Sequence, residues 1–111
     1  MSANPEAAAR VKELLKQLWQ QHKPTVFERL AVMEHAAASC LEMDAAGLEE
    51  ARGAAHKLAG ALGTFGFHEG TELARESEQI FVKGNLGASD REKLIENARN
   101  IRTLLESFEK T

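Results

Sequence analysis

In the stretch AAHKLAGALGTFGF, Ala54 to Phe67, one titratable ring stands among side chains of almost no size. At about 100° per residue, the neighbours of His56 on a helix surface are Arg52, Gly53, Ala59, Gly60 and Gly63. Each glycine inside a helix costs up to about 1 kcal/mol relative to alanine, so three beside one ring demand a reason. Close packing against another helix is one reason, and access to the imidazole is the other. Glycines on the ring's own side, away from the core face of Ala55, Leu58, Leu62 and Phe65, favour access. An isolated imidazole ionises near pH ~6.5, so at neutral pH a ring nitrogen offers a lone pair without an activating base. Most helix histidines are only solvated polar residues. The glycines set this one apart from that majority without deciding its role.

A helix must hold that ring, and helices are all that the sequence predicts. Apolar residues recur at helical spacing in nearly every segment, and none alternates with a period of two. Asn4 caps a first segment with Pro5 at its first helical position. Its stripe is Ala8, Val11, Leu15 and Leu18, and it ends near His22. Pro24 predicts a break, because the residue before a proline avoids helical angles. A second helix from about Thr25 buries Phe27, Leu30, Met33, Ala37 and Leu41. A third begins near Asp44 and aligns Leu48, Ala51, Ala55, Leu58, Leu62 and Phe65, with Gly66 as its left-handed end. The fourth runs from about Phe67 to Lys83, turns Leu73, Ser77, Ile80 and Phe81 inward, and stops at Gly84-Asn85. Ser89 or Asp90 caps the fifth, whose stripe is Leu94, Ala98, Ile101, Leu105 and Phe108.

The expected fold is all-α, a single domain over residues 1–111. Residues 25–109 form an antiparallel up-down four-helix bundle, and residues 1–22 form an accessory helix packed against one end through Trp19 and Leu18. Folding the third helix onto the fourth about the turn near Phe65 brings the region of Arg75 and Glu78 opposite His56.

HKLAG (His56 to Gly60) followed by GTFGF (Gly63 to Phe67) resembles the histidine-containing phosphotransfer domain. That family's pattern is a histidine, a glycine four positions on and a second glycine ten positions on, which Gly60 and Gly66 match. The GTFGF ending is also similar to the phosphoacceptor domain of chemotaxis histidine kinases. The resemblance covers roughly Thr25 to Phe108. It implies a four-helix bundle in which His56 takes a phosphoryl group from a receiver aspartate or a histidine kinase and passes it to another receiver. It also implies that the receiver supplies Mg²⁺ and the acidic pocket, while this chain binds no cofactor and acts as a phosphotransfer intermediate, not a kinase. The docking surface is expected around Ala59, Gly60, Gly63 and Glu78. The family usually has lysine three positions after the histidine, where this chain has Ala59. Lys57, Arg52 and Arg75 are then the cations left to support a phosphohistidine. The missing lysine motivates one alternative, a helical adaptor that binds a receiver or kinase without taking phosphate.

The rest of the sequence excludes more than it adds. A net charge of −3 with scattered basic residues argues against a nucleic-acid surface. No apolar run approaches a membrane span, and the opening MSANPEAAAR lacks a signal-peptide core. Cys40 is the only cysteine, so no internal disulfide can form, and a reducing cytoplasmic setting is expected. No metal site is expected: the chain has no Glu-x-x-His pair, and FHEGTE fails the HExxH pattern at Glu72. GTFGFHEG lacks the strand and spacing of a dinucleotide loop. His22, His35 and His68 read as helix-end, polar-face and turn residues, Cys40 reads as a small buried hydrophobe, and phosphotransfer needs only a monomer.

Overall fold

The computed structural model describes residues 4–110. It contains four α-helices: α1 (Pro5–Ser39), α2 (Ala45–Thr64), α3 (His68–Lys83) and α4 (Ala88–Glu109). A 3-10 turn at Cys40–Glu42 follows α1. Short connections make successive helices antiparallel, and α1 and α3 each pack against both α2 and α4. This is an up-down four-helix bundle, and no strand occurs among the described residues. Residues 1–3 of the expected accessory helix lie outside the described residues.

The helix ends follow local chemistry. The Asn4 side chain accepts from the Glu6 N–H at 2.9 Å, and Asp44 accepts from the Gly47 N–H at 2.8 Å. Gly66, at φ +82°, closes α2, with the Phe67 N–H donating to the Leu62 carbonyl at 2.9 Å. The last helix starts slightly earlier than expected. Gly87 is its N-cap residue, and Asp90 reaches back to accept from the Gly87 N–H at 2.9 Å. At the far end of α1, Arg91 Nε donates to the Ala38 carbonyl at 3.0 Å, a cation on an otherwise unpaired helix-end group.

The core is the meeting of four stripes: Leu30, Met33 and Ala37; Ala55, Leu58 and Leu62; Ala74 and Phe81; Leu94, Ala98, Ile101 and Leu105. Leu41 departs from its expected stripe and is 48% exposed. Beyond Ser39 the chain tightens to three residues per turn, which turns Cys40 inward and Leu41 out. Arg102 ties α4 to α1 with a two-pronged pair to Glu34, at 2.7 and 2.8 Å, and lies over the Phe27 ring.

The largest correction is at Pro24, where no break occurs. The first two expected helices are one continuous helix of 35 residues with Pro24 inside it. Proline removes the hydrogen bond to the carbonyl four residues back, that of Gln20. Both Gln20 and Pro24 are exposed, on the side away from the bundle, so water can serve the freed carbonyl. Trp19 and Val26, on the bundle side, are both buried, and Lys23 pairs with Glu109 of α4. Tertiary anchors before and after the proline hold the helix through it. Leu18, 43% exposed, does not join Trp19 in packing the accessory segment onto the end of the bundle. Trp19 is seated among Phe65, Phe67 and Phe108 at ring distances of 5.3, 5.4 and 5.8 Å. Its indole N–H donates to Glu109 at 3.3 Å. Ala8, Val11, Leu15 and Leu18 face solvent.

Since the interior proline weakens a helix that packing alone keeps continuous, Pro24→Ala should stabilise the protein by up to about 3 kcal/mol. Urea unfolding followed by far-UV circular dichroism measures this. An unchanged midpoint would mean that the helix parts at Lys23 in solution.

Candidate functional site

Asp44 starts α2 and the turn at Gly66 ends it, which places His56 in the helix interior with its side chain 68% exposed. Its Nδ1 lies 3.0 Å from Oε2 of Glu78 on α3. The Glu78 side chain is only 14% exposed, and Arg52 Nη1 meets the same oxygen at 3.2 Å. One turn back, Arg52 Nε and Nη2 grip Glu49 at 2.8 to 3.0 Å. The Arg52 guanidinium holds the Glu49 carboxyl below the usual carboxylate range, and Glu49 in turn pushes the guanidinium's ionisation up. The result is a line of alternating groups: Glu49, Arg52, Glu78, His56.

This contact sets the ring's chemistry. An ionised carboxylate only accepts, so Nδ1 carries the hydrogen and Nε2 of the neutral ring holds the free lone pair. An ionised Glu78 therefore favours one tautomer and one ring orientation, with Nε2 opposite the bond that holds the ring.

What positions Glu78 is the α2–α3 seam. Thr71 Oγ1 donates to the Ala59 carbonyl at 3.1 Å inside that seam. Gly70 lets the helices close: a Cβ there would stand 3.1 Å from Leu62 Cδ1. Thr71, Arg75 and Glu78 fall at i, i+4 and i+7, one stripe of α3. Arg75 thus lies between the levels of Ala59 and His56, exposed and without an ion pair among the described residues.

The glycines divide by role. A Cβ at Gly53 or Gly60 would meet nothing within 4 Å, so packing does not require glycine at either position. At Gly63 a Cβ would make an ordinary contact with Thr71, at 3.4 Å from Oγ1. Gly60 and Gly63 are exposed, as a docking floor requires. Ala59 is not, and its expected place in that floor is corrected: it is 3% exposed. Four residues after Ala55, it turns into the seam beneath Thr71, so the departure from the family's lysine closes packing instead of supplying charge. Lys57 is exposed and makes no ion pair among the described residues.

The structure therefore brings Arg52 and Glu78 to His56, and leaves Lys57 and Arg75 as uncommitted cations nearby. Glu49, Gly70 and Thr71 were not singled out in the sequence. Only the i, i+3 spacing of Glu49 and Arg52 could have signalled the first. The other histidines stay apart from the site. His22 lies 6.1 Å from the Phe65 ring, and among the described residues no three His, Cys, Asp or Glu side chains group as ligands of a metal.

A family model for the Hpt domain matches residues 17–111. The chain belongs to the Hpt domain family. Searches of the curated proteins and of the solved structures return no match. Hpt domains are phosphotransfer modules of phosphorelay signalling, not stand-alone enzymes, and they interact with receiver domains and kinases. This Hpt domain has no described helix long and apolar enough to cross a membrane.

If Glu78 sets the tautomer, neutral His56 should carry its hydrogen on Nδ1, and Glu78→Ala should release the ring to the Nε2–H form that free imidazoles favour. Long-range ¹H–¹⁵N spectra distinguish the two. An unchanged tautomer in the variant would assign the ring's orientation to something other than this bond.

Proposed function

We propose that His56 is the phosphoacceptor of this Hpt domain, taking a phosphoryl group from a receiver aspartate or a histidine kinase and handing it to another receiver. The observation that carries this reading is the exposed ring held by Nδ1 on a largely buried carboxylate, with Nε2 on the opposite side of the ring. In the forward step the Nε2 lone pair forms a bond to phosphorus while the phosphorus–oxygen bond to the donor aspartate breaks, returning a carboxylate. No proton need move, because Nδ1 keeps its hydrogen on Glu78. The ring becomes cationic as the bond forms, and Glu78 stabilises that charge, as the carboxylate of a Ser-His-Asp triad does for its imidazolium. A cationic ring is also the better leaving group for the onward step.

Phosphoryl transfer has a loose transition state, so alignment and charge neutralisation dominate. On this reading the receiver brings its acidic pocket and Mg²⁺. Arg75 and Lys57 are the cations free to turn toward the phosphoryl oxygens, while Arg52 is engaged by two carboxylates. Gly60 and Gly63 give the receiver a level approach. The lone buried Cys40 suits a reducing cytoplasmic setting.

Incubation with phosphorylated receiver domains should add one phosphate-sized mass that is acid-labile and alkali-stable, and His56→Gln should remove it. Gly60→Leu should keep the fold, since the position is exposed and a Cβ there meets nothing within 4 Å, yet slow labelling at least tenfold by obstructing the receiver. A label that survives His56→Gln would overturn the assignment.

A further inference from the structure

The first turns of α1 project beyond the bundle with an apolar face that nothing covers. Val11, Leu14, Leu15 and Leu18 are 56, 58, 46 and 43% exposed. With Ala7 and Ala8 they span an arc of about 120°, centred about 70° round the helix from the row that faces the bundle. The stripe overlaps one edge of that row, with Leu15 in line with Met33 and Leu18 in line with Ala36, and is exposed because α1 here runs beyond the other helices. It adjoins a groove of about 590 Å³ at the end of the bundle, lined among others by Leu15, Lys12, Lys16, Trp19, Phe65 and Glu109, whose carboxylate is already engaged by Lys23 and the Trp19 N–H. The family match begins at residue 17, so this stripe lies almost wholly outside the part shared with the family.

Charge identifies the occupant. The two charged residues that border the stripe are both cationic, Arg10 on one edge and Lys12 on the other, and Lys16 follows Lys12 over the groove. Neither Lys12 nor Lys16 has an ion pair among the described residues. Arg10 meets Glu6 only at 3.9 Å, with both side chains largely exposed, a contact worth little. Glu13 lies on the opposite face. Residues 4–23 carry four cations against two carboxylates, whereas residues 24–110 carry ten cations and fifteen carboxylates. A second copy is the wrong partner. Paired parallel, two such stripes set the Arg10 edge against the Lys12 edge; paired antiparallel, they set Lys12 against Lys12. Either way cation meets cation, and edge charges of this kind decide helix pairing.

We infer that the projecting part of α1 and the groove beside it form a docking surface for an acidic amphipathic helix of another protein. The surface is distinct from the face that presents His56. It binds helix-in-groove, with apolar anchors on the Leu stripe and acidic edges on Arg10, Lys12 and Lys16. A partner held there raises the local concentration of whatever it is joined to, without occupying the phosphoacceptor. The inference does not depend on phosphotransfer.

The test uses the full chain and two synthetic 21-residue helical peptides with the same leucine seam, one edged with glutamate and one with lysine. Binding is read by anisotropy of the labelled peptides and by the emission of Trp19. The glutamate-edged peptide should bind at least tenfold tighter than the other. Leu14→Ser with Leu18→Ser should weaken it at least tenfold, and Arg10→Glu with Lys12→Glu and Lys16→Glu should reverse the preference. Labelling of His56 should be unchanged in each variant, which separates this surface from the site. Equal affinity for the two peptides, binding to neither, or a sedimenting dimer of the chain that Leu14→Ser dissolves would overturn the proposal.

Discussion

Everything at the site rests on how closely α3 can approach α2. Gly70 permits the approach, since any side chain there would press on Leu62, and Thr71 fastens it by bonding a carbonyl on the neighbouring helix. The two helices are then in register, and the register carries Glu78 to the ring of His56 nearly two helical turns above. A shift of one residue along the seam would move Glu78 by about 100° and break the bond. The geometry around His56 is thus set by a small residue and a hydroxyl on the neighbouring helix.

The far end of the bundle shows a similar dependence. Trp19 is the point where α1 stops being a bundle helix and becomes a projecting one. Its ring closes the base against three phenylalanines, and its N–H shares Glu109 with Lys23. Those two donors, Lys23 first, hold the Glu109 carboxyl below the usual range. A helix end of about a dozen residues is marginal in water on its own. The anchor at Trp19 and the continuity through Pro24 supply the nucleus on which the projecting turns extend.

Much of this was legible in the sequence. Periodicity places the apolar stripes of α2, α3 and α4, Asp44 and Gly66 bound the site helix, and the glycines beside His56 mark it as reachable. What was not legible has a common cause, the priority of tertiary contacts over local rules. The proline rule fails at residue 24 because Trp19 and Val26 are anchored on either side. Leu41 leaves its stripe because the helix tightens before it. Ala59 and Gly60 are adjacent and similar in size, and only the position of α3 decides that one is covered and the other open. Asn97 is a further case. It is polar yet fully buried, with its Nδ2 donating to Ser77 at 3.1 Å and Glu76 at 3.0 Å, and no apolar pattern could reveal that.

The charge arrangement explains why a largely buried carboxylate is tolerated beside an exposed ring. An ionised group taken from water needs a partner of opposite sign, and a neutral imidazole supplies a hydrogen bond but no charge. Arg52 provides the charge in the resting state, and Glu49 on its other side keeps the guanidinium aimed. When the ring takes a phosphoryl group, as proposed, it becomes cationic, and Glu78 then lies between two positive groups. The carboxylate is then better compensated than before, so the phosphorylated ring is held more firmly than the free one. The added charge on the phosphoryl oxygens falls on the other nitrogen, toward solvent, where the open glycines leave room for a partner's groups and for Arg75 or Lys57. The inner side of the ring serves stability and the outer side serves exchange, and the imidazole's two nitrogens keep those roles apart.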